Sequence, residues 1–223
     1  MLLRVKNLSK SYKFKRHLYL KTEEKLIFKD LSFELDRGEN LLLCGESGCG
    51  KSTVAKILAM LERPNSGEIF FNEKNLLNLN FEEQRALRKE LSYVFQEQKL
   101  ALNPHKRVLD LCLAVYENFN LKPNLKELES LFETFELDFS LAKLRSNALS
   151  TGQAQRIGLI RSLLLKPKLL ILDEFNAPLD LLTSKKCLSY LLSLQDQTSY
   201  IFISHQESLL RPFCKKELKL NKI

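Results

Sequence analysis

Eight residues, Gly45-Glu46-Ser47-Gly48-Cys49-Gly50-Lys51-Ser52, followed by Thr53, match the phosphate-cradling pattern G-x-x-x-x-G-K-[ST] at every fixed position. Glycines belong in such a loop because it wraps its ligand so closely that side chains would clash, and its backbone N–H groups must turn inward onto an anion. In this pattern Lys51 reaches the β- and γ-phosphates and the Ser52 hydroxyl ligates Mg²⁺. A second acidic element, Leu169-Leu170-Ile171-Leu172-Asp173-Glu174, ends an apolar run in two carboxylates. The first suits Mg²⁺, usually held through water, and the second can polarise an attacking water as general base. Together the two stretches imply nucleoside triphosphate and Mg²⁺ chemistry.

These residues need elements to hold them. Leu41 to Cys44 reads as a short buried strand before the loop, and Thr53 to Ala59 has the apolar spacing of a helix whose positive N-terminal end would face the phosphates. The run Leu169 to Asp173 is expected to be a fully buried parallel strand, and Tyr200 to Ser204 another, ending at His205. Further strands are expected at residues 1–8, Ile27 to Leu35, Glu68 to Phe71 and Leu91 to Phe95. A polar insertion is expected from Lys13 to about Lys25. Helices are expected over Phe81 to Lys89, Gly152 to Leu165 and Cys187 to Leu194. From Leu109 to Arg145 the chain is rich in Leu, Phe, Glu and Lys at helical spacing, with breaks near Pro123 and Asp138, which reads as a small helical unit inserted in an α/β core.

A third element is Leu149-Ser150-Thr151-Gly152-Gln153-Ala154-Gln155-Arg156. Alone it is a plausible helix N-cap. Standing just before the acidic strand, it resembles the L-S-G-G-Q motif of ABC transporter nucleotide-binding subunits. The resemblance covers nearly the whole chain. It implies a P-loop NTPase (RecA-like) core with an antiparallel β subdomain and an inserted α-helical subdomain: one domain over 1–223, with 1–96 and 157–223 as nucleotide-binding core and 97–156 as the helical part. It also implies roles. Tyr12 would stack on adenine; Gln96 would touch Mg²⁺ and water; His205 would contact the γ-phosphate beside the catalytic Glu174. Ser150, Thr151, Gly152 and Gln153 would face the nucleotide of an opposite subunit. Asp180, in Ala177-Pro178-Leu179-Asp180, would close a loop at the dimer interface.

Three positions depart from the family pattern. Thr151 replaces the first motif glycine, Phe175-Asn176 follows Glu174 where Pro-Thr is usual, and Pro178 sits inside the aspartate loop. They are expected to slow the ATPase cycle at most. Leu100-Ala101-Leu102-Asn103-Pro104 and the Lys13–Lys25 insertion are similar to dipeptide, oligopeptide and nickel importers, particularly their second ATPase subunit. The chain stops soon after His205, with no room for a cysteine-bearing extension, which leans toward the nickel type. This resemblance implies a partner ATPase of different sequence, two membrane permeases, an extracytoplasmic binding protein, and a place on the cytoplasmic face of the cell membrane. Rivals are an ABC ATPase of another transporter class, a binding-only subunit, and an ABC ATPase acting on DNA or ribosomes. The last usually carries two cassettes or a long coiled coil, and neither is here; no nucleic-acid partner is expected.

Composition bounds these readings. With 223 residues, the chain is long enough to bury a substantial core. No apolar run approaches the roughly 20 residues of a membrane span, and the N-terminal residues lack an export signal's apolar stretch. Five scattered cysteines without a C-x-x-C argue for reduced thiols in a cytoplasm. Cys49, near a helix N-terminus and Lys51, is in a position that favours a reactive thiol. The net charge of +8 is compatible with a solvated surface, a membrane surface or nucleic acid, and apart from Lys13, Lys15 and Arg16 the basic residues are dispersed.

Overall fold

A computed structural model describes residues 1–15 and 23–222. The chain builds, in order, β1 (Leu3–Phe14), β2 (Glu23–Leu35), β3 (Asn40–Cys44), α1 (Lys51–Leu58), β4 (Ser66–Phe71), β5 (Lys74–Asn75), α2 (Phe81–Leu87) and β6 (Leu91–Val94). There follow α3 (Gln98–Ala101), α4 (Val108–Glu117), α5 (Leu125–Thr134), α6 (Thr151–Leu163), β7 (Leu169–Asp173), α7 (Leu181–Ser193), β8 (Ser199–Ile203), α8 (Glu207–Leu210) and β9 (Lys216–Lys219). Four helices begin at a side-chain cap. Asn80, Asn124, Ser150 and Asp180 each accept a hydrogen bond from a backbone N–H in the first turn of α2, α5, α6 and α7.

Two sheets form. One is antiparallel, in the order β2-β1-β4-β5; the other runs β6-β7-β8-β3-β9, with parallel pairings throughout. The central strands of the parallel sheet are buried along their whole length, which is why they read as continuous apolar runs. Their side chains alternate between two cores. Leu42, Leu170, Leu172, Tyr200 and Phe202 face a core shared with α4, α5, α6 and α7. Leu41, Leu43, Leu169, Ile171, Ile201 and Ile203 face a second core, closed by α1 and by Leu3, Val5, Leu8, Phe28, Leu35, Ile69 and Phe71 of the antiparallel sheet. Burying each such side chain contributes about 1.5–3 kcal/mol, so both layers grip the sheet.

Two expectations change. The insertion expected at Lys13–Lys25 is partly strand: Lys13 pairs with Glu24, Phe14 with Glu23, and Tyr12 with Lys25. Arg16 and the rest of that insertion, 16–22, lie outside the described residues. The helix expected from Cys187 starts six residues earlier, at Leu181, because the Asp180 carboxylate accepts from Thr183 N–H (2.9 Å) and Thr183 Oγ1 (2.7 Å) and so caps it. All five cysteines are free thiols. No helix among the described residues is long and apolar enough to cross a membrane.

Candidate active site

The parallel sheet brings the chemistry-bearing residues to one edge. Gln96 follows β6, Asp173 ends β7 with Glu174 directly after it, His205 follows β8, and the phosphate loop leaves β3. The neighbouring strands β7, β8 and β3 therefore open onto a common crevice, where open α/β sheets receive their ligands. A cleft of about 240 Å³ there is bordered by Ser47, Gly48, Gly50, Lys51, Ser52, Thr53, Gln96, Glu174 and His205, together with Ile27 and Ile203.

The loop is shaped for close approach. Gly50 has φ +103°, and a Cβ there would lie 2.5 Å from Ile27 Cγ2; Gly45, at φ +140°, would meet the Leu220 carbonyl oxygen at 2.4 Å. The Lys51 ammonium is buried and donates to the carbonyls of Gly45 (2.5 Å) and Glu46 (3.1 Å). An ammonium carries three N–H donors, so one is left for a ligand while two brace the loop.

Deeper in, the Ser52 hydroxyl donates to Asp173 Oδ1 at 3.2 Å. Asp173 is 1% exposed, and its second oxygen accepts from the Tyr93 hydroxyl at 2.7 Å. Burial, then the Asp173 charge, pushes the Tyr93 phenol well above its usual pKa, so it stays a hydrogen-bond donor. Among the described residues no three His, Cys, Asp or Glu side chains group into a metal site. A hydroxyl and a carboxylate alone suit a hard cation that takes the remainder of its shell from phosphate and water, as Mg²⁺ does.

Glu174 borders the cleft directly after β7. Its backbone is left-handed, φ +50°, a conformation that costs a non-glycine residue of order 1–3 kcal/mol. Its N–H donates to the Ile203 carbonyl at 2.8 Å. Oε2 accepts from the His205 backbone N–H at 3.2 Å. Oε1 is buried, accepts no hydrogen bond among the described residues, and lies 3.6 Å from His205 Nε2. Burial is the main cause of a carboxyl pKa raised above 4.5, opposed by that backbone bond and by His205.

Other expected site residues lie elsewhere. Gly45, Glu46 and Cys49 belong to the loop but do not border the cleft; Cys49 is 2% exposed and packs into the second core, so the thiol is not presented to solvent. Tyr12 does not border it either: its hydroxyl donates to Glu62 at 2.5 Å and Lys10 Nζ sits 4.9 Å from its ring centroid. Ser150, Thr151, Gly152, Gln153 and Asp180 are also outside this cleft.

Residues 28–177 match the family described as ABC transporter. The chain belongs to the ABC transporter family. It is 34% identical over 214 residues to the dipeptide transport ATP-binding protein DppF of Haemophilus influenzae, covering 94% of this chain and 65% of that protein. To the nickel import ATP-binding protein NikE of Escherichia coli K12 it is 35% identical over 206 residues, 90% of this chain and 77% of that one. The chain thus spans just under two thirds of DppF's length. Among solved structures it resembles the ATP-binding cassette MJ0796 in a dimeric post-hydrolysis state bound to ADP and Pi. That likeness has a TM-score of 0.87 at 25% identity, over 98% of this chain and 94% of that one. A second structure of MJ0796, described as a bacterial ABC transporter cassette, gives a TM-score of 0.85 at 25% identity, over 99% and 95%.

Against the ABC pattern, the departures fit locally. Thr151 is the first helical residue of α6 and has no positive φ, so nothing there requires glycine's freedom. Ser150 caps the same helix in a reciprocal capping box with Gln153, at 3.2 and 2.9 Å. A Cβ on Gly152 would lie 3.3 Å from the Pro178 carbonyl oxygen, so the aspartate loop rests against the start of the signature helix. Phe175 is buried beside Phe202, ring centroids 6.1 Å apart.

The bond from Tyr93 to Asp173 is one that sequence reasoning passed over, because an aromatic inside a strand reads as core. Tyr93→Phe leaves one oxygen of a buried carboxylate without its donor and is expected to lower stability by about 1–3 kcal/mol. Urea unfolding checks this; an unchanged midpoint would show the bond to be dispensable.

Proposed function

We propose that this chain is the ATP-binding and ATP-hydrolysing subunit of an importer of nickel or of di- and oligopeptides, working at the cytoplasmic face of the membrane. The observation that carries the reading is the meeting of Lys51, Ser52, Gln96, Glu174 and His205 on one cleft, with Asp173 hydrogen-bonded behind Ser52. Lys51 and the N-terminal end of α1 hold the β- and γ-phosphates. Ser52, Asp173 and Gln96 hold Mg²⁺, which when bound neutralises charge on the phosphate oxygens. Glu174 Oε1 accepts a proton from water as the water oxygen bonds to the γ-phosphorus. The bond from that phosphorus to the bridging oxygen breaks, and ADP leaves. His205 steadies the transferred phosphoryl group, and Tyr12 offers its ring to adenine. The catalytic gain is positioning and charge stabilisation.

Ser150, Gly152 and Gln153 lie away from their own chain's cleft, which supports the reading that they serve ATP bound to a second subunit, with Asp180 at the joint between the two. That subunit is a different ABC ATPase, as the resemblance to the second ATPase subunit of nickel and peptide importers implies. Two permeases contact the segment 97–156, which works as a helical subdomain, and a binding protein supplies cargo from outside. Nucleic acid is not a partner. The test is uptake of nickel and of a dipeptide in cells lacking this chain. Wild type is expected to restore one of them and Glu174→Gln neither; if neither uptake depends on the chain, the importer reading falls.

A further inference from the structure

The strand ends that carry Glu174 and His205 are tied together by a closed ring of three hydrogen bonds. Ser204 Oγ donates to Asn176 Oδ1 (2.9 Å), Asn176 Nδ2 donates to Gln206 Oε1 (2.8 Å), and the Gln206 backbone N–H returns to Ser204 Oγ (3.0 Å). Asn176 is fully buried and Ser204 is 1% exposed. Both oxygen and nitrogen of the Asn176 carboxamide are used, so the network fixes its orientation.

Each member sits within two residues of a reacting group. Asn176 follows Glu174 by two positions; Ser204 and Gln206 flank His205. Glu174 needs such support, because its left-handed backbone lies off the strand geometry that β7 would continue. Two further bonds, Glu174 N–H to Ile203 O and His205 N–H to Glu174 Oε2, run parallel to the ring. A threonine or serine hydroxyl at 176 would carry donor and acceptor on one atom, whereas the carboxamide presents them at two separate ends, one to Ser204 and one to Gln206.

We propose that Asn176 is a positioning residue for ATP hydrolysis: its buried carboxamide, held by Ser204 and Gln206, fixes the Glu174 carboxylate against His205. This rests on the ATPase reading given above. Asn176 does not border the cleft, so its work is done through Glu174. Displacing a reacting group by about 1 Å costs roughly 10²-fold in rate.

The experiment measures Mg-ATP turnover and nucleotide affinity of the full chain, assembled with its membrane partners, for Asn176→Ala, Ser204→Ala, the double variant, and Gln206→Ala. Asn176→Ala is expected to lower kcat by roughly 10- to 100-fold with the Kd for a fluorescent ATP analogue changed less than about threefold. Ser204→Ala should give a similar loss and the double variant no more than either alone, since all break one ring. Gln206 is exposed at the rim, so Gln206→Ala keeps the test alive if a buried variant fails to fold, with a kcat loss of at least severalfold expected. A fall in melting temperature with kcat within twofold of wild type would overturn the proposal, as would additive losses in the double variant. Glu174→Gln is measured alongside. If it too turns over normally, the hydrolysis reading fails; if it is dead while the Asn176 and Gln206 variants are normal, this inference alone fails.

Discussion

Glu174→Gln is expected to reduce Mg-ATP turnover by about 10²- to 10⁴-fold, the range spanned by loss of a general base, while nucleotide binding persists. Glutamine keeps the shape of the side chain and an oxygen able to accept the His205 backbone N–H, so the site stays assembled. It cannot take a proton. The pH profile offers a second reading of the same group. Burial raises the Glu174 pKa above 4.5, so the acid limb of kcat/KM should fall above that value, with activity lost as pH drops and the carboxylate protonates. The linkage sign is equally definite. A carboxyl whose folded pKa is raised weakens the fold as pH climbs from the unfolded to the folded pKa, and the full penalty is present above the folded pKa. Removing that charge should therefore raise the melting temperature of Glu174→Gln near pH 7. A variant with wild-type turnover, or one no more stable than wild type, would contradict the assignment.

Lys51→Ala is expected to weaken ATP binding by about 10- to 100-fold, the worth of one strong hydrogen bond to a charged group. Two losses combine. One ammonium N–H aimed at the phosphates disappears, and the carbonyls of Gly45 and Glu46 lose the donor that braces them. The second loss implies that the loop itself loosens before nucleotide arrives, so amide exchange from Gly45 to Ser52 should quicken in the free protein. Titration with a fluorescent nucleotide measures the first, and hydrogen exchange the second. An affinity within threefold of wild type would mean that the backbone N–H groups hold the phosphates unaided.

The phosphate loop and the acidic strand were legible because their chemistry constrains type and spacing together. Buried parallel strands were legible because both faces are apolar. Other features hid for physical reasons. β9, Lys-Glu-Leu-Lys, is an edge strand with alternate residues exposed, and carries no apolar run to announce it. The first turn of α7 was masked because Asp180 read as an interface residue and not as the cap it is. The bond from the Tyr12 hydroxyl to Glu62 is made across 50 positions of sequence, and no local pattern announces it. Asn176 drew notice only as a departure from Pro-Thr. Its partners arrive from the segment after β8, 28 and 30 residues later, and no local pattern encodes them.

The alternation along the central strands separates two kinds of sequence drift. Leu41, Ile171 and Ile203 answer to the nucleotide side, whereas their immediate neighbours Leu42, Leu172 and Phe202 answer to the helical side. A change in α4 or α5 can therefore be met by changing every second strand residue and its helical contacts. The residues between them, and the hydrolytic edge they hold, need not move. A single plate of five strands lets a substitution on one face be absorbed by the layer it touches while the other face keeps its packing.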